Sequence, residues 1–357
     1  MSIYIEGLKK GREIYPGYIL TSDFVACANG AFTFAKKDGE EYFVKAFLAP
    51  KIPSVKVKIS PRVRKKKQEA CERFKKNFLG IIATFNKNLD PKKGQLIYPA
   101  DFREGNTTFL QFSPKIKIAH TDPKEVASYN NDDKLVLLKS LANAISLVHM
   151  HGVVHSDIKF ENVLIKKTSS GLLSTKIIDF DGSYFEKSPH PPALMHFDQS
   201  YMAPELSLYN QNDSSIKNED LTTKADIFSL GVVLHEYCTG NRPTVRGVKE
   251  GEIVYLGDAV NTDTEIIVDE EILGDHLSKI IKSTFNKNYK MRPTANDLFK
   301  EISEAHIDLH AVKIKNKVVK PTAKSSVPHV AKSSSKTTKP KIVEPIDGLK
   351  IISKKKD

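Results

Sequence analysis

From Lys224 to Tyr237 the chain reads as a helix that is apolar nearly all round, with Ile227, Phe228, Leu230, Val232, Val233 and Leu234 leaving no wide polar stripe. A helix without a polar face has to lie inside a larger body, with other elements packed against every side. The second half of the chain must therefore form a substantial packed unit around this segment. Another helix is legible upstream, where Leu135, Leu138, Leu141, Ala142, Ile145 and Val148 recur at steps of three and four residues. The first third has a different rhythm. Tyr18–Leu20, Phe32–Ala35, Tyr42–Phe47, Leu96–Tyr98 and Thr108–Phe112 are short strand-like runs, interrupted by one helix whose apolar face carries Ala70, Phe74 and Phe78. The expected class is α+β, with the strands first and the helices after.

The chain has 357 residues, 40% of them hydrophobic, which is enough for one large domain or two ordinary ones. No apolar run approaches the length of about 18 residues that a membrane-spanning helix needs, and Met1 to Gly11 lacks an apolar signal-peptide core. A cytoplasmic location without a membrane span is expected. Cys27, Cys71 and Cys238 are scattered and odd in number, as reduced thiols are, and none has a metal-ligand spacing.

Charge is concentrated in the tail. Residues 311–357 hold 13 lysines against Glu344, Asp347 and Asp357, so they account for +10 of the chain's net +12. Such a segment, rich also in Ser, Thr and Pro, buries too little apolar surface to offset its ordering entropy, and disorder is expected there. Its charge suits a solubilising tail, or an arm for nucleic acid, an acidic partner or an anionic surface. A second basic run, Lys51 to Lys67, leads into the helix bearing Phe74. It reads as a solvated helix start or an anion-docking segment.

Chemistry is concentrated at His155 to Asn162, where Asp157, Lys159 and Asn162 stand at offsets of two and five residues. This trio suits phosphoryl transfer: the carboxylate orients a hydroxyl, the lysine balances phosphate charge and the carboxamide holds a metal. Ile177 and Ile178 then form a short buried run ending at Asp179, a second metal-ligand candidate. Lys45 lies mid-strand among apolar residues, a position that calls for a charged partner.

These residues resemble the eukaryotic-type protein kinase family. The run from His155 matches the catalytic loop H-R-D-x-K-x-x-N, and Asp179-Phe180-Asp181 matches D-F-G except at its last residue. Ala203-Pro204-Glu205 matches A-P-E, Asp226 to Gly231 matches D-x-x-S-x-G, and Arg292 matches the late arginine expected to pair with Glu205. The resemblance implies a bilobal protein-kinase-like fold, with a small β-rich N-lobe (14–113) and a larger helical C-lobe (114–310). An extension (1–13) precedes them and the tail follows. It further implies a Ser/Thr protein kinase that uses ATP and Mg2+, with Mn2+ as a substitute, acts on protein substrates and phosphorylates itself. Asp157 would be the catalytic base, Lys159 would steady the γ-phosphate, and Asn162 and Asp179 would hold the metal. Lys45 would contact the α- and β-phosphates, with Glu69 or, by its helical position, Glu72 as partner. Gly30 would belong to the glycine-rich loop, Phe43 would roof the base and Leu164 would floor it. His155, Phe180, Glu205, Asp226 and Arg292 would be structural.

Several positions depart from the family pattern. Val25 and Cys27 replace two loop glycines, Ser156 replaces the arginine of H-R-D, and Phe43 stands where alanine is usual. Asp181 places a third carboxylate near the metals. Phe197 and Asp198 replace the usual Gly and Thr. These departures keep two alternatives open: a pseudokinase acting as a scaffold or regulator, and a small-molecule kinase resembling the aminoglycoside phosphotransferases.

Overall fold

The computed structural model describes residues 8–304 apart from 28–29, 91–93, 117–121, 168–170, 196, 250–251 and 253. The basic tail lies outside them, as does the first half of the amino-terminal extension. Seven antiparallel strands open the chain: β1 (Glu13–Tyr15), β2 (Tyr18–Leu20), β3 (Val25–Cys27), β4 (Gly30–Lys37), β5 (Glu40–Phe47), β6 (Asp101–Glu104) and β7 (Phe109–Pro114). They form one sheet in the order β1-β2-β4-β5-β7-β6, with β3 paired to β4. Alternation along β5 sends Val44 and Ala46 into an outer core with Tyr18, Leu20 and Phe112. Lys45 and Phe47 point to the other face.

Helix α1 (Pro61–Asn88) runs alongside this sheet. Ser60 caps it by accepting the Val63 N–H, and Pro61 suits a first-turn position that has no intrahelical donor to lose. Part of the basic run before it has a structural task, because Arg64 donates to the Ser54 and Val57 carbonyls and folds the preceding loop back onto the helix. The helix joins two cores. Phe78 packs with Phe47 and Phe109, whereas Ile81 and Phe85 enter the large core of the second lobe.

That second lobe holds α2 (Pro123–Ala127), α3 (Asn131–Met150), α4 (Pro204–Asn210), α5 (Lys224–Thr239), α6 (Leu256–Asn261), α7 (Glu270–Thr284) and α8 (Ala295–Glu304). Short strand pairs link them: β8 (Val153–Val154) with β11 (Tyr184–Phe185), β9 (Val163–Lys167) with β10 (Leu173–Ile177), and β12 (Thr244–Val245) with β13 (Ile266–Ile267). Helix α5 is the axle that its composition requires. Every residue from Ala225 to Cys238 is buried. Gly231 lets α7 close in, since a methyl group there would lie 1.8 Å from Thr284 Oγ1. The architecture is a bilobal α+β fold with a β-rich first lobe and a helical second lobe. No helix among the described residues is long and apolar enough to cross a membrane.

Candidate active site

The His155–Asn162 segment lies between β8 and β9, and α5 holds it from below. Asp226 is almost wholly buried and accepts the backbone N–H of His155 at 2.7 Å and of Ser156 at 2.8 Å. It also bonds His149 Nε2 at 3.0 Å, so this histidine helps to brace the loop. The brace sustains an unusual backbone, because Ser156 has φ 65°, a left-handed conformation that disfavours side chains with a β-carbon. Where the family pattern has arginine, the Ser156 hydroxyl donates to the Gly182 carbonyl and ties this loop to the Asp179–Asp181 turn. His155 is fully buried. Its Nδ1 accepts the Asp157 N–H at 3.3 Å, so Nε2 carries the proton and donates to the Ile178 carbonyl at 3.0 Å.

Asp157, Lys159 and Asn162 converge on one carboxylate oxygen. Asp157 Oδ2 accepts from Asn162 Nδ2 at 2.9 Å and lies 2.8 Å from Lys159 Nζ. Among the described residues, Asp157 Oδ1 accepts nothing. Burial would lower the Lys159 pKa, but it is outweighed chiefly by Asp157 and further by Asp198, and the ammonium form is favoured. Asp157, Lys159, Asp198, Ser200 and Tyr255 line a polar cleft of about 520 Å³. Asp198 turns its Oδ1 to the Ser200 N–H at 3.0 Å.

From β5 of the first lobe, Lys45 donates to Asp179 Oδ1 at 2.8 Å and Oδ2 at 3.0 Å, and lies 2.5 Å from Asp181 Oδ2. Burial works against charge in all three groups. In Lys45 it is outweighed by Asp181 and then Asp179, and the pKa is raised. Lys45 overcomes the burial of Asp179, whose pKa is lowered. Asp181 is pushed up to about 7, by burial first and by the Asp179 charge second. The expected Lys45–Glu72 pair is not formed. Glu72 and Glu69 are both exposed on α1, whose buried side chains are Cys71, Phe78, Ile81 and Phe85.

Phe180 is buried, with its ring 5.2 Å from Phe85 of α1 and 4.8 Å from His155. Gly30 opens β4 at φ 155°, where a β-carbon would stand 2.0 Å from the Ala46 carbonyl oxygen. Close pairing with β5 by itself therefore calls for a residue without a side chain here. Phe43 stacks on Phe32 at 5.5 Å and meets Phe34 edge-on at 6.0 Å, forming an aromatic cluster beneath the sheet. Leu164 is buried yet joins none of the three apolar cores, unlike its neighbours Val163 and Ile165. Arg292 forks onto Glu205 with bonds of 2.7 and 2.8 Å, both side chains buried.

The donor set fits a hard cation. Asp179 supplies a carboxylate, and Asn162 commits its NH2 group to Asp157 and leaves its oxygen outside those bonds. Oxygen ligands of this kind, few in number and completed by phosphate and water, suit Mg2+. Sequence reasoning noted the carboxylate of Asp181 but not its bond to Lys45. The sequence shows both groups, a mid-strand lysine and an extra acid after Asp179, but their approach exists only in the fold.

A buried lysine across from a carboxylate–lysine–carboxamide network, mounted between a small sheet lobe and a helical lobe, defines a phosphotransferase site of the kinase type. The chain belongs to the protein kinase family, whose "Protein kinase domain" matches residues 114–302. Serine/threonine-protein kinase 17A of Oryctolagus cuniculus is 24% identical over 229 residues, covering 61% of this chain and 53% of that protein. Serine/threonine-protein kinase kin-29 of Caenorhabditis elegans is 37% identical over 102 residues, covering 29% of this chain and 11% of that protein. Mitogen-activated protein kinase kinase kinase 13 of Homo sapiens is 26% identical over 171 residues, 48% of this chain and 16% of that protein. The chain thus spans about half, or much less, of the relatives it matches.

Proposed function

We propose that the protein is an active kinase that moves the γ-phosphate of ATP to serine or threonine hydroxyls of protein substrates. The observation that carries this reading is the asymmetry of Asp157. Lys159 and Asn162 hold Oδ2, and Oδ1 is left for an acceptor hydroxyl entering the polar cleft. In that position Asp157 orients the hydroxyl and takes its proton as the oxygen attacks. Lys159, kept cationic by Asp157, balances negative charge beside the acceptor, and Lys45 would do so at the nucleotide phosphates. Asp179 and Asn162 would hold magnesium, which neutralises phosphate charge when bound. Phe43 above and Leu164 below would sandwich the base. The lysine two residues after Asp157, as in Ser/Thr kinases, and the similarity to serine/threonine-protein kinases support hydroxyl acceptors of the Ser/Thr type.

The test is phosphate transfer from labelled ATP and magnesium, to the protein itself and to a generic basic protein, with wild type beside Asp157→Ala and Asp179→Ala. Transfer is expected in wild type and its loss in both variants. No transfer by wild type, with manganese also tried, would leave the pseudokinase. Phosphate on a sugar or drug but not on protein would favour the small-molecule reading, which the buried Glu205–Arg292 pair opposes. The kinase domain is proposed to span 14–310. We further propose that the basic tail carries autophosphorylation sites and any affinity for an acidic partner or nucleic acid. Undiminished nucleic-acid affinity after truncation at Ala311 would refute the tail's part.

A further inference from the structure

Lys45 is a charged side chain that the fold takes out of solvent. It is a buried ammonium whose ion-pair partners, among the described residues, are Asp179 and Asp181. Asp179 has a competing task. Both of its oxygens accept Lys45 here, and the same oxygens are those a cation at this site would use. A cation held by Asp179 would compete with Lys45 for these oxygens, and a buried lysine left unpaired is strongly disfavoured. Wherever no nucleotide phosphate faces Lys45, a second protein anion is needed to keep it in place.

Helix α1 does not supply it. Its acids are Glu69 and Glu72, both exposed. The helix approaches the Asp179–Asp181 turn further along, where Asn77 Nδ2 donates to the Ser183 carbonyl at 2.8 Å and Gly80 lies against the Phe185 ring. Asn77 is five residues beyond Glu72, which on an α-helix is about 7.5 Å along the axis and roughly 140° around it. Glu72 therefore cannot share the face that α1 turns to the cleft. Asp181 already sits where such an anion is required. Its Oδ2 forms an ion pair with Lys45 Nζ at 2.5 Å, and among the described residues neither of its buried oxygens has a hydrogen bond of good geometry, so Lys45 is its charge partner.

We propose that Asp181 is the positioning residue for Lys45, so that the Asp179–Phe180–Asp181 turn, and not α1, holds the lysine in the nucleotide site while Asp179 is free for the cation. This rests on the kinase reading for its functional meaning. The Ser156 bond to Gly182 then joins the lysine clamp to the catalytic loop through one short segment. Movement of α1 alone leaves the clamp intact, whereas movement of the turn breaks it.

Two readouts test this, one of which needs neither nucleotide nor metal. The first is a double-mutant cycle on thermal unfolding of the metal-free protein, combining Lys45→Met with Asp181→Asn. Removing the lysine alone leaves two buried carboxylates facing each other, and removing the second charge relieves them. The effects should be non-additive by on the order of 3 °C or more, and the same cycle with Glu72→Gln should be additive within about 1 °C. The second is steady-state transfer. Asp181→Asn should raise KM for ATP on the order of tenfold with a smaller loss of kcat, Asp181→Glu should recover part of it, and Glu72→Gln should match wild type. An additive Asp181 cycle, a coupled Glu72 cycle, or an unchanged KM in Asp181→Asn would overturn the proposal. If wild type transfers no phosphate, the kinase reading fails, and the unfolding cycle still decides the partner of Lys45.

Discussion

Replacing Arg292 with methionine should destabilise this protein more than almost any other single substitution. The guanidinium is fully buried and the Glu205 side chain is only 4% exposed. Four bonds converge on the arginine: two from the Glu205 fork, one to the Asn286 carbonyl at 2.9 Å and one to the Lys224 carbonyl at 2.9 Å. Its carbon lies 5.3 Å from the Phe228 ring centroid, so the fork also rests on the central helix. Methionine fills much of the volume but leaves Glu205 as an uncompensated buried charge, which costs about 3–5 kcal/mol. For a domain of this size, each kcal/mol lowers Tm by about 2–4 °C, so a fall on the order of 10 °C is expected. Circular dichroism melts would measure it, with urea titration as a check on the change in free energy. The double variant Glu205→Leu/Arg292→Met should be less damaged than Arg292→Met, because no charge is then left unpaired. A loss under about 1 kcal/mol in Arg292→Met, or strictly additive effects in the double variant, would refute the argument that the pair is buried and mutually dependent.

Gly231→Ala drives a methyl group onto Thr284 and should force α5 from α7, at a cost of about 1–3 kcal/mol measurable by urea unfolding. Gly231→Ala/Thr284→Ala should regain part of it. The pKa of Glu236 is pushed up to about 7 by burial, against bonds from Tyr201 and Arg242 that favour its charged form. Between its ordinary value and about 7 the folded protein therefore binds the extra proton, so wild-type stability falls as pH rises through that window. Glu236→Gln should flatten this dependence in melts taken at pH 5 and pH 8. Asp157→Asn should abolish transfer while leaving Tm within about 2 °C of wild type, since Lys159 and Asn162 can still bond the amide oxygen.

The linear order of residues was sufficient for the central helix. An apolar run without a polar stripe has one physical solution, and Ala225 to Cys238 are buried accordingly. It was sufficient also for the catalytic-loop trio, because offsets of two and five within one tight loop leave little freedom for side chains to miss one another. The α+β order followed from the change of period after the strands. The sequence could not give the partner of Lys45. Glu72 was favoured by a helical wheel, but a wheel has no knowledge of where along its axis a helix meets its neighbour. That contact falls at Asn77 and Gly80, about one and a half to two turns beyond Glu72. Likewise, His149 meets Asp226 only because the fold brings α5 to the end of α3. Local pattern determined which residues carry charge and which seek the interior. Only tertiary packing decided which charges meet, since a buried ion pair is selected by the distance between elements far apart in the chain: Lys45 and Asp181 lie on opposite lobes, and the cleft between them exists only once both have folded.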